Sequence, residues 1–176
     1  MMDFSLERQR MKRKREIFFN KTSSSLLPLI EKIDSSERSI VTCFALNECK
    51  RISEYLVRLY NFSLLSEADA AVNEWAEGKR KIYDAKPYIL ALHRVANIIE
   101  DKSDAYLFHA LAQGYSTVHT PRHAIGIAFY ELTAMMKKGA SDDELEKKID
   151  SYFISLSEAE RKAGEHTWAK FIRNSF

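Results

Sequence analysis

Three histidines, His109, His119 and His123, crowd the stretch 106–138, with Arg122 beside them and His93 a little upstream. Imidazoles at that density suit metal ligation or proton transfer near neutral pH. His119 and His123 are four apart, which on an unbroken helix puts both rings on one side. Pro121 stands between them, however, and its missing amide hydrogen and bulky ring break that geometry. No HExxH run and no Cys/His pair at finger spacing is present. A two-iron carboxylate bundle needs Glu-x-x-His repeated on separate helices, whereas Glu165 directly precedes His166 and Glu131 has no histidine three residues on. These imidazoles therefore read as helix-joint side chains that cap backbone carbonyls, and no metal or cofactor is expected.

Nucleophilic chemistry fares no better. Cys43 or Cys49 with His93 would make a thiol–imidazole pair, but no motif or oxyanion nest accompanies either thiol, and both read as small buried hydrophobes. Gly114 and Gly126 are isolated within helical patterns, so there is no Gly-rich phosphate loop. Glu74 and Glu77 beside Trp75 form an acidic rim next to an aromatic, an exposed face that also suits a protein interface. No catalytic residue is assigned. His93, His109, His119, Arg122, His123 and Trp75 stand as structural or interaction candidates, and the chain is expected not to be an enzyme.

The elements that must position these residues are helices. Phe108, Leu111, Tyr115 and Val118 recur at steps of three and four, and Ile125, Phe129, Leu132 and Met136 repeat the rhythm. Thr120 as N-cap and Pro121 as first helical residue would join the two into a hairpin. Ala124 and Ala128 on one stripe, with Gly126 between, let a neighbouring helix come close. Upstream, the spacing predicts a helix over 5–19, a break at Thr22–Ser25, a short helix over 26–33 and a long one over 37–60 capped by Asp34-Ser35-Ser36. The long helix carries Val41, Ala45, Cys49, Ile52, Leu56 and Leu59 as its buried stripe. Ser66-Glu67-Ala68-Asp69 resembles a capping box opening the Trp75 helix. Lys79–Lys86 reads as continued helix with a restart at Pro87. Ser141-Asp142-Asp143-Glu144 opens another helix, and Ser157-Glu158-Ala159-Glu160 the last, which holds Trp168 and Phe171. No stretch alternates like a strand. The expectation is an all-α, single-domain bundle of about eight or nine helices over residues 1–176, with a basic N-terminal helix or arm at 1–21 and C-terminal helices at 141–176.

Composition agrees. A chain of 176 residues with 45% hydrophobic and 30% charged residues can bury a core of its own. Two cysteines six apart on one predicted helix face different sides, so a reduced, cytoplasmic setting is expected. No apolar run is long enough to span a bilayer, and the charged N-terminus is unlike an export signal. Residues 1–21 hold seven Lys/Arg against Asp3, Glu7 and Glu16, leaving the remainder slightly acidic. That segment reads as a solvated helix face, as an arm folded onto the body's own acids, or as a nucleic-acid arm.

One resemblance spans residues 35–138. Ala91–Asn97 with His93, the Ala/Gly-rich helix around Gly114, then Val118, His119, His123 and Ala124, and Tyr130 beyond, resemble the Imm-five-like immunity protein family of bacterial toxin-immunity loci. Arg8–Arg10, Phe44–Cys49 and the segment at Trp75 are similar to its earlier elements. Asn97 stands where that pattern has Arg, with Arg94 placed earlier, and the chain after Gly139 is more elaborate. The resemblance implies an all-α cytoplasmic protein that binds and neutralises a cognate toxin. The alternatives are a nucleic-acid-associated helical protein using the N-terminal basic segment, or a histidine-dependent metal hydrolase.

Overall fold

The longest apolar stripe in the chain becomes the spine of the molecule. In the structure, a computed structural model that describes residues 1–173, this is α3 (Arg38–Leu59), about 33 Å long at 1.5 Å per residue. Val41, Ala45, Cys49, Ile52 and Leu56 are buried as their spacing predicts, but Leu59 is exposed at the helix end. Before the spine come α1 (Ser5–Lys12) and α2 (Leu27–Ser35); after it come α4 (Ser63–Ala76), α5 (Ile82–Ala96), α6 (Lys102–Ser116), α7 (Ala124–Lys137), α8 (Asp142–Lys162) and α9 (Lys170–Arg173). The described residues form nine α-helices and no strand. The hairpin α6–α7 packs most extensively, α6 is wedged between α5 and α3, and α4 and α8 flank the spine.

Glycine sets the closeness of the hairpin. A Cβ on Gly114 would stand 2.2 Å from Cys49 Sγ and 3.1 Å from Ile127, and one on Gly126 2.9 Å from the Gln113 side chain. Across α3, α7 and α8 runs a charge-balanced network around two buried carboxylates. Arg51 donates to Glu48 and to Glu131, Lys148 Nζ lies 3.5 Å and 3.4 Å from the same two carboxylates, and Tyr152 donates to Glu131 at 2.7 Å. Burial opposes the charged form of Glu48, but Lys148 and Arg51 outweigh it and hold the carboxyl below its usual range. The two cations match the two acids, so this interior charge is compensated.

Several predicted boundaries move, each for a packing reason. Helix α1 stops at Lys12, not near 19, and Lys14 takes a left-handed φ of 54°. The turn sends Phe18 and Phe19 into the core, where the Phe18 amide donates to Thr133 Oγ1. The Ser35 and Ser36 hydroxyls close the end of α2 on the Lys32 carbonyl instead of capping α3. Ser66 lies inside α4, which starts at Ser63, so that Leu65 can be buried. Pro87 lies inside α5, its freed carbonyl partner on an exposed face where water can serve it. Ser157 lies inside α8, whose stripe Leu145, Ile149, Tyr152, Leu156 and Ala159 never breaks. The box at Ser141 is a true one: its hydroxyl accepts from the Glu144 amide while Glu144 accepts from the Ser141 amide. At the hairpin joint, Pro121–His123 is a single 3-10 turn before α7, and Thr120 makes no side-chain cap.

Candidate functional site

The candidate histidines fall along one seam where α5, α6 and the joint meet. His93 on α5 and His109 on α6 face each other with their Nδ1 atoms 2.8 Å apart. Two facing nitrogens share one proton, so one ring donates and the other accepts. The Tyr130 ring lies on His109 at 5.2 Å between centroids. Farther along, His123 Nδ1 bonds Gln113 Oε1 at 2.7 Å. Burial pushes the His93, His109 and His123 imidazoles below the ordinary histidine range, with neighbouring imidazoles adding to it. Among the described residues no three His, Cys, Asp or Glu side chains are placed to hold a metal ion.

The expected capping of joint carbonyls by imidazole is corrected. Arg38, at the start of α3, does that work: its Nη2 donates to the Val118 and His119 carbonyls at 2.8 Å and 2.7 Å. His119 is thereby released outward. Its exposed ring stacks on Trp75 with centroids 6.2 Å apart and planes 26° apart. A second ring neighbour of Trp75 is Phe171, 6.3 Å away, and the Arg38 guanidinium lies 5.2 Å from the Phe171 centroid. Arg122 is not part of this group. It points away and pairs with Asp34 at 3.0 Å, lining a separate open cleft with Pro121 and Glu37.

Trp75 and His119 thus floor a groove of about 660 Å³ whose apolar surface is completed by Ile82, Tyr83, Ala169 and Phe171. Its rim is basic, formed by Arg38, Arg80, Lys81 and Lys170, and among the described residues no carboxylate lines it. Two backbone features build it. Gly78 takes φ 78°, turning the chain sharply from α4 into the loop that carries Arg80 and Lys81. The Ala169 amide donates to the Ala76 carbonyl at 2.7 Å and clamps the C-terminal segment against α4. Sequence reasoning singled out Trp75 and His119 but missed Arg38, Lys81, Tyr83, Lys170 and Phe171 as their neighbours. The one local signal was the cationic run 79–81 leading to an aromatic.

The basic N-terminal segment is partly spent on the body. Arg8 reaches Asp142 and the Ala140 carbonyl, and Arg10 bonds the Phe18 carbonyl and the hydroxyls of Thr22 and Ser23. Cys43 and Cys49 are both buried free thiols. No helix among the described residues is long and apolar enough to cross a membrane.

Residues 31–156 match a family model described as Imm-5 like putative immunity protein. No curated protein and no solved structure matches the chain.

Proposed function

From the membership of this chain in the Imm-5 like putative immunity protein family, we infer that it binds a cognate toxin protein and neutralises it by occlusion, without catalysis. The family match carries the reading. The open aromatic groove with its basic rim supports it, because interfaces concentrate aromatic and Arg side chains at a desolvated centre with a polar surround. The commitment of Arg8 and Arg10 to the body weighs against a nucleic-acid arm. The cytoplasm is the compartment this reading implies.

The test is growth. Cells expressing the toxin encoded beside this gene should arrest without the protein and grow with it, and a catalytically disabled form of that toxin should co-purify with it. Arrest that continues despite soluble, folded protein would overturn the reading.

A further inference from the structure

We propose that the groove between Trp75, Tyr83 and Phe171 is the docking site for an acidic segment of the protein partner, one that carries an apolar side chain among its carboxylates. This rests on the immunity reading above and adds the surface and the chemistry of what it holds.

Charge complementarity carries it. Of the four rim cations, Arg80 is balanced by Glu74 at 2.8 Å. Lys81 and Lys170 have no carboxylate partner among the described residues. Arg38 has committed its Nη2 to the joint carbonyls and contributes its charge to the groove. The body outside the N-terminal segment is slightly acidic, so this concentration of positive charge runs against the background. An acidic segment would be steered to it and would meet two ammonium groups that have no carboxylate partner among the described residues.

The floor needs something apolar. Tyr83 is 82% exposed and Phe171 40% exposed, while Trp75 between them is nearly buried. The apolar area a partner could cover lies on Tyr83 and Phe171, supported from beneath by Trp75 and surrounded by cations, an aromatic centre with a polar surround. The volume admits a few side chains, as a peptide segment would present. The surface also continues. Helix α5 packs chiefly on α4 and α6, leaving its outer face with Tyr83, Pro87 and Leu90 exposed at helical spacing and Ile98 exposed in the turn beyond its end. Lys86 and Arg94 flank this stripe, with Asp84 the one acid on the exposed face of α5. A partner seated in the groove can extend along it.

A nucleic acid is disfavoured by the same floor. A run of stacked bases needs several open aromatic faces. Trp75 is already stacked by His119 and flanked by Phe171, which leaves Tyr83 as the one largely exposed aromatic side chain of the groove among the described residues.

The experiment compares the full chain with Lys81→Glu/Lys170→Glu and with Lys12→Glu/Arg15→Glu, a pair with the same change of net charge at the exposed N-terminal turn. Each is titrated with the disabled toxin from the same locus, with overlapping peptides of that toxin, and with a thymidine oligonucleotide. All four lysine and arginine side chains are exposed, so circular dichroism and melting should be unchanged. The expected result is that the groove variant binds the toxin about tenfold or more weakly, that the N-terminal variant binds as the wild type does, and that the peptides retained are acidic and lose binding to the groove variant. If the wild-type protein does not bind the toxin, the immunity reading falls and this inference with it. Undiminished toxin binding by the groove variant, equal weakening by both variants, or retained peptides that are not acidic would overturn the groove assignment alone. Oligonucleotide binding lost in the groove variant while toxin binding persists would overturn it in favour of nucleic acid.

Discussion

At the scale of single residues, the histidines stand out because the folded protein disfavours their charged form. Burial lowers His93, His109 and His123, and in the facing pair only one ring can become charged without setting two N–H groups head to head. Unfolded histidine titrates at about 6.5, above its folded range here. Over neutral pH both states are uncharged and stability is level. As pH falls through about 6.5 the unfolded chain takes up protons first, so stability declines until the folded values are passed. Urea unfolding should therefore show a falling midpoint between about pH 7 and pH 5, above the range where carboxylates titrate. His109→Asn should flatten that slope as well as lower the midpoint; an unchanged slope would mean the pair does not resist protonation. That these rings cluster was legible in the sequence. That His93 would pair with His109 and His119 with Trp75 was not, because each partnership crosses between helices.

At the scale of elements, hydrophobic spacing and close approach decide. The α6–α7 hairpin was readable because apolar residues at steps of three and four report the buried face directly. Its tightness rests on the two glycines unequally. Gly114→Ala aims a methyl at Cys49 Sγ and Ile127, both held in the core, and should destabilise by about 1–3 kcal/mol in chemical denaturation. Gly126→Ala meets Gln113 at Cβ, Cγ and Oε1, all at 2.9 Å, so the α6 backbone must give by a few tenths of an ångström. That is a milder overlap than the 2.2 Å at Gly114, and an added helix-favouring Cβ offsets part of the loss. Its cost should be the smaller; the reverse order would mean the hairpin is spaced by other contacts. Capping signals were less reliable than stripes. Ser66 and Ser157 carry the right neighbours yet lie inside α4 and α8, since a continuing apolar stripe makes it more favourable to extend a helix than to start one. Only the box at Ser141, preceded by Gly139 at φ 89°, begins a helix.

At the scale of the whole molecule, the two thiols report on how the body opens. Cys49 has no exposure, its thiol faces the Leu111 carbonyl at 3.6 Å, and burial raises it well above the usual thiol range. Cys43 is buried too, but lines a small cleft closed by His166, Thr167 and Trp168 of the C-terminal segment. Release of that segment would uncover Cys43 while the spine stays folded. Labelling with a thiol reagent should then modify Cys43 first and Cys49 only at the rate of global unfolding; simultaneous labelling would show that the C-terminal segment is part of the same cooperative unit. The sequence alone determined that the chain is helical, which faces of its long helices are buried and where the hairpin joint lies, because those properties follow from local spacing and from proline. It also contained the pattern that places the chain in its family. Only the tertiary structure decided that Arg38 closes the joint and turns His119 outward, and that the rim of the Trp75 groove is basic. Lys81, Lys170 and Phe171 reach that groove through a left-handed glycine and one clamp between the Ala169 amide and the Ala76 carbonyl. Such contacts join residues far apart along the chain, and no local period encodes them.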